Sequence, residues 1–172
     1  MESVLVMDRS GAMVAHTESL GQLSAALMRR GWRLATAESC TGGMLSGLLT
    51  SRPGSSSWFD CGFVTYSNAA KTRMLDVPTA LLECLGAVSP EVVEAMAMGV
   101  LRRSGADVAV AISGIAGPGG EVPGKPVGTV FIAWGDCDGG LDCQHFLFSG
   151  DREGVRRQAV DQSILGLLAR YG

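Results

Sequence analysis

Apolar positions along the chain follow two rhythms that alternate. Leu20, Leu23 and Leu27 recur at helical spacing, which predicts a helix from about Ser19 to Arg30. Ser19 and Gln22 form a capping-box pair at its start and Gly31 stops it. Other stretches carry the strand pattern. Arg33-Leu34-Ala35 is a short apolar run, and Cys61 to Tyr66 is rich in β-branched and aromatic residues. Asp107 to Ile112 is continuously apolar, as in a strand covered on both faces. Gly128 to Trp134 and Leu141 to Phe148 are two further strands, joined into a hairpin by Asp136-Cys137-Asp138-Gly139-Gly140. Helices are predicted in between. One covers Met44 to Leu49. A second, capped by Ser67 or Asn68, contains Lys71 and ends near Pro78, and a third runs from Ala80 to Leu85. Ser89-Pro90-Glu91 opens a helix to about Ser104, and the last begins near Asp151 with Val155, Ala159, Ile164, Leu167 and Leu168 inward.

This alternation predicts an α/β fold: a three-layer α/β/α domain whose mixed sheet is mostly parallel and contains one antiparallel strand. Residues 1–16 lack periodicity and read as an N-terminal arm, leaving residues 17–172 as a single domain. Ligands of such sheets bind beyond the carboxyl ends of the strands. Three polar turns fall there: Glu38 to Gly43, Tyr66 to Lys71, and Ser113 to Gly120.

Composition narrows the partners. The 172 residues, 47% of them apolar, suffice for one buried core, and a net charge of -3 supplies no basic patch for nucleic acid. Charged residues make up only 18%, which predicts apolar surface covered in a homo-oligomer. No apolar run approaches the roughly 18 residues of a membrane span, and the N-terminus lacks the layout of a signal peptide. Cysteines 40, 61, 84, 137 and 143 are odd in number and include no C-x-x-C pair. They read as reduced thiols of a cytoplasmic protein.

The chemistry concentrates in Thr36-Ala37-Glu38-Ser39-Cys40-Thr41-Gly42-Gly43. A strand, a tight polar turn and a helix start place Ser39 as a candidate nucleophile beside unpaired backbone N–H groups. Thr41 is a candidate N-cap, while Gly42 and Gly43 let a ligand approach the backbone. The plain alternative is a capped helix start with a glycine-rich turn. Serine needs a base. The two histidines, His16 in the arm and His145 within a strand, make a Ser-His-Asp triad a poor fit. Of the two lysines, Lys71 and Lys125, Lys71 follows a strand-end tyrosine by about one helical turn. A desolvated lysine there can act as the base; otherwise it is a solvated helix lysine. Ser113 and Gly114 open a glycine-rich loop that is a candidate anion nest or pocket wall, or else a flexible crossover. That loop is not a phosphate-binding P-loop, since Gly120 is not followed by Lys-Ser or Lys-Thr. Arg152, at the start of the last helix, is a candidate clamp for a phosphate or carboxylate, or a surface ion pair. Cys40 is an alternative nucleophile that reads more simply as an inward-packed small residue. The sequence shows no clustered metal-ligand set, so neither metal nor cofactor is expected.

Taken together with Gly62-Phe63-Val64-Thr65-Tyr66-Ser67-Asn68-Ala69-Ala70-Lys71, Gly86-Ala87-Val88-Ser89, Ser113 to Gly120, Lys125 to Val130 and Phe148 to Arg152, the Ser39 stretch closely resembles the CinA C-terminal domain. That family includes the PncC-type nicotinamide-nucleotide amidases, and the resemblance runs from about Leu20 to Leu168. It implies a three-layer α/β/α fold and a small-molecule pyridine nucleotide as partner. It also implies hydrolysis of the carboxamide of nicotinamide mononucleotide to nicotinate mononucleotide and ammonia, in pyridine nucleotide salvage. A serine-lysine mechanism is implied at Ser39 and Lys71, with Tyr66 matching the pocket tyrosine that orients the lysine or relays its proton. Residues 120–124 are this chain's own version of a variable stretch, and residues 1–16 have no counterpart. The domain found upstream in full-length CinA proteins is likewise absent from the resemblance, so its activity is not carried over. The competing expectation is a nucleotide-binding or interaction module that performs no chemistry, against which the joint presence of Ser39, Tyr66 and Lys71 counts.

Overall fold

The computed structural model of the chain describes residues 9–172, with side chains from Thr17 onward. Residues 1–8 of the expected arm lie outside the described residues, and from Arg9 the backbone is helical. Helix α1 (Arg9–Arg30) therefore starts ten residues before the predicted cap at Ser19. Nothing between Arg9 and Ser19 is a proline, so propagation toward the N-terminus is not blocked. Gln22 reaches the carboxylate of Glu18, four residues back on the same helix face, instead of closing a capping box.

The sheet comprises β1 (Leu34–Glu38), β2 (Phe59–Val64), β3 (Val108–Gly114), β4 (Thr129–Asp136) and β5 (Leu141–Leu147), in the order β2-β1-β3-β4-β5. Strands β2, β1 and β3 are parallel, and β4 pairs antiparallel with both β3 and β5. Among the described strands β4 alone runs against the rest, as the sequence pattern predicts. The β4–β5 hairpin turn closes on Asp136, whose Oδ1 accepts from the N–H groups of Asp138 and Gly140.

Five further helices cover the sheet: α2 (Met44–Thr50), α3 (Asn68–Leu75), α4 (Thr79–Leu85), α5 (Pro90–Arg103) and α6 (Arg152–Tyr171). Strand alternation gives the sheet two unlike faces. Toward α1, α2 and α6 it presents Leu34, Val108, Val110, Ile112, Ile132 and Trp134. Toward α3, α4 and α5 it presents Ala35, Ala37, Ala109, Ala111 and Ala133, all fully buried. Small residues on that face let α5 sit close to the sheet. Helix α3 is drawn in behind it: a Cβ at Gly99 of α5 would lie 2.2 Å from the carbonyl oxygen of Leu75, so the two helices cross backbone against backbone.

Two strand boundaries differ from the sequence reading, and both matter for the site. Strand β1 continues through Glu38 instead of turning at Thr36, because β2 and β3 flank it and pair with it up to that residue. Strand β2 ends at Val64, two residues early, which frees the carbonyls of Thr65 and Tyr66 from the ladder.

Candidate active site

The carboxyl ends of β1 and β2 lie side by side. Ser39 N donates to Ile112 O of β3, and Thr65 N donates to Glu38 O. Helix α3 then starts under a Ser67 cap, whose Oγ accepts from Ala70 N. This short path from β2 to α3 carries Lys71 back beneath the Ser39 turn. Lys71 Nζ lies 3.0 Å from Ser39 Oγ, 2.9 Å from Thr65 O and 3.3 Å from Tyr66 O. The lysine is wholly buried and Ser39 is 8% exposed. Burial pushes Lys71 down to about 8, although the neighbouring Cys40 thiol acts in the opposite direction. Among the described residues no carboxylate contributes to holding the ammonium, and desolvation prevails.

The Ser39 turn itself is tightly held. Gly42 and Gly43 both take positive φ, 59° and 97°, and Gly42 N donates to Ser39 O. Glu38, buried at the end of β1, accepts from the N–H groups of Gly43, Leu45 and Ser46 and from Ser46 Oγ. Its carboxylate thus takes the place of an N-cap for α2. The expected cap at Thr41 is corrected: the cap position is Gly43, and Thr41 Oγ1 is buried with no hydrogen-bond partner among the described residues. The N–H groups of Gly42 and Gly43, by contrast, are satisfied within the protein. No oxygen among the described residues accepts from Cys40 N or Thr41 N. The unpaired amides of the turn therefore lie one or two positions nearer the serine than the glycines suggested, and Thr41 is fully buried.

Cys40 is 6% exposed within the apolar core, and burial pushes its thiol up to about 11. A thiol so placed stays protonated at neutral pH, which makes it a poor nucleophile. His145 stacks on Phe131 in the last two strands, with ring centres 4.7 Å apart, away from Ser39.

Tyr66 differs from its expected geometry. Its backbone carbonyl, not its phenol, meets Lys71. The side chain is 60% exposed, and its hydroxyl accepts from Arg152 at 3.1 Å. Ser113 and Gly114 also depart from expectation. Both belong to β3 and face Phe131 and Val130 across the ladder, because the antiparallel pairing with β4 extends the strand beyond its apolar run. Ser113 Oγ donates to Ala87 O, and a Cβ at Gly114 would strike β4.

The loop beyond them reaches the site through its middle. Arg152 donates to Gly117 O at 2.6 Å as well as to Tyr66 OH, and so ties three turns together. Beside it lies an open cavity of about 780 Å³, walled by Met44, Ala116, Pro118, Val127, Arg152 and Arg156, among others. Asp151 caps α6 by accepting from Gly154 N, so that helix start adjoins the same cavity. Arg156, one turn along from Arg152, donates to Cys40 O at 3.0 Å and to Thr41 O at 2.9 Å. Sequence reasoning passed over Arg156; its only signal was an i, i+4 spacing from Arg152 on one helix face. Among the described residues no group of histidine, cysteine or acidic side chains is placed to hold a metal ion. None of the described helices is long and apolar enough to cross a membrane.

Comparison with known proteins shows the family. The chain is 55% identical over 142 residues to nicotinamide-nucleotide amidohydrolase PncC of Pseudomonas putida, covering 83% of this chain and 88% of that protein. It is 51% identical over 150 residues to the PncC of Enterobacter agglomerans, covering 87% and 92%. A crystal structure of a CinA superfamily protein from Klebsiella pneumoniae superposes with a TM-score of 0.86 at 42% identity, covering 91% of this chain and 97% of that one. The family profile of the CinA C-terminal domain matches residues 16–171. With nearly its whole length matched and its fold shared, the chain belongs to the CinA C-terminal domain family.

Proposed function

We propose that this protein is an amidohydrolase that converts nicotinamide mononucleotide to nicotinate mononucleotide and ammonia through Ser39 and Lys71. The names carried by its relatives support the substrate. The observation that carries the mechanism is the buried Lys71 Nζ, 3.0 Å from Ser39 Oγ. A neutral amine has two N–H donors and one lone pair. Thr65 O and Tyr66 O accept the two donors, so the lone pair faces the serine hydroxyl. Lys71 takes the Ser39 proton as Oγ bonds to the carboxamide carbon. The carbonyl oxygen becomes an oxyanion, received by backbone N–H groups of the Ser39 turn. As the carbon–nitrogen bond breaks, Lys71 returns the proton to departing ammonia. Water, deprotonated by the same lysine, then cleaves the acyl-enzyme to nicotinate mononucleotide and free Ser39.

Arg152 and the start of α6 hold the 5′-phosphate in the adjoining cavity. Tyr66 serves through its carbonyl on Lys71 and through its phenol on Arg152. Residues 17–172 form the catalytic domain. A cytoplasmic homo-oligomer fits the five free cysteines and the exposed Leu141 and Leu147 on edge strand β5. Purified protein incubated with nicotinamide mononucleotide should release ammonia and nicotinate mononucleotide in equal amounts. Binding of the nucleotide without ammonia release would sink the proposal in favour of a non-catalytic binding module.

A further inference from the structure

Two charged side chains that take no part in the proton transfers above grip the Ser39 turn from opposite ends. At the far end, the Glu38 carboxylate gathers the N–H groups of Gly43, Leu45 and Ser46, so the chain leaves β1 and is recaptured within five residues. Ser46 Oγ, which bonds Glu38, also lies 2.8 Å from Thr36 Oγ1. A Cβ at Gly62 of β2 would lie 2.4 Å from that Oγ, so the polar cluster is packed without slack. At the near end, the half-buried Arg156 guanidinium takes the carbonyls of Cys40 and Thr41.

These contacts fix the orientation of the peptide planes that follow Ser39. In a trans peptide the N–H of one residue points opposite to the C=O of the residue before it. Cys40 O is drawn to Arg156, so Thr41 N–H points the other way. Ser39 O is drawn to Gly42 N, so Cys40 N–H is set in the same manner. We propose that Glu38 and Arg156 are positioning residues that hold the Ser39 turn between a buried carboxylate and a guanidinium and thereby fix Ser39 Oγ against Lys71 Nζ. The inference rests on the Ser39–Lys71 reading. Arg156 also lines the cavity, and a phosphate contact there is the competing role that the test separates.

The test compares Glu38→Gln, Arg156→Lys and Arg156→Gln on nicotinamide mononucleotide and on the phosphate-free riboside. The Glu38→Gln change keeps the shape of the side chain but removes its charge. The Arg156→Lys change keeps the charge but not the fork that spans two carbonyls. Each folded variant should lose about 10- to 100-fold in kcat, less than deletion of a whole oxyanion donor. KM should stay within about twofold and the loss should be equal for both substrates. The pH midpoint should not move, because Lys71 keeps its burial. Wild-type kcat in a folded variant at either position overturns the proposal. So does a loss at Arg156 that appears in KM for the nucleotide and spares the riboside. Two substitutions at Arg156 guard against one failing to fold, which circular dichroism reports. Ser39→Ala runs alongside: retained activity there condemns the underlying mechanism, whereas an inactive Ser39→Ala beside fully active Glu38 and Arg156 variants condemns only this inference.

Discussion

Lys71 Nζ and Ser39 Oγ face each other at 3.0 Å in a place where the lysine has no solvent contact. The partner that fixes this pairing is backbone: two carbonyls, released because β2 ends at Val64, hold the amine and leave it one direction in which to accept a proton.

Ser39→Ala and Lys71→Met should each abolish measurable ammonia release while the far-ultraviolet circular dichroism stays unchanged. Because the two act as one unit, the double variant should be no worse than either single one. Steady-state assays of the three proteins check this, and additive losses would mean that the pair does not work together.

Rising pH should raise kcat/KM through about 8, the value to which burial brings Lys71, and the profile should level above it. Folding stability carries the same signature. Between about 8 and the ordinary 10.5 the unfolded chain keeps a lysine proton that the folded chain has released. Stability therefore gains as pH rises through that window, and below it the folded state bears the full cost of a buried cation. Cys40, pushed up to about 11 from 9.0, contributes the opposite slope between those values and so opposes the lysine over the upper part of its window. Subtracting the melting curves of Lys71→Met from those of wild type isolates the lysine; a difference that does not change with pH refutes its depressed value.

Arg152→Ala should weaken nicotinamide mononucleotide by roughly 2 to 3 kcal/mol, the scale of a hydrogen bond to a charged group. The riboside, which lacks the phosphate, should lose little. Inhibition constants for product nucleotide and nucleoside measure the contrast directly, and equal losses for both would assign Arg152 to holding Gly117 and Tyr66 alone.

Cys40→Ala should leave turnover within about threefold of wild type and lower stability by about 1 kcal/mol, as expected for a small apolar group removed from a core. Abolished turnover in a folded Cys40→Ala would transfer the nucleophile's role to sulfur.

The layered fold was legible because helical spacings alternate with short apolar runs, and Asp107 to Ile112 is continuously apolar, as a strand covered on both faces must be. Which face is narrow was not legible; the alanines that line it became evident only from the packing. Ser39 and Lys71 were legible for a different reason, the scarcity of bases in a chain with two histidines and two lysines. Ser113 and Gly114 were misread as loop because the apolar run stops at Ile112, whereas the strand ends where pairing with β4 ends. Arg156 was hidden by distance: its carbonyl partners lie 115 and 116 residues away, and no local pattern records them. Glu38 was visible only as one polar letter in a polar turn, since a carboxylate that caps a helix from the preceding strand leaves no capping-box spacing.

The alanine-lined face has a consequence beyond packing. Lys71 rides on α3, α3 touches α5 backbone at Gly99, and α5 rests on Ala35, Ala37, Ala109, Ala111 and Ala133. Side-chain size in that layer therefore bears on where the amine stands relative to the serine, because the alanines set how deep α5 lies and α5 sets where α3 lies.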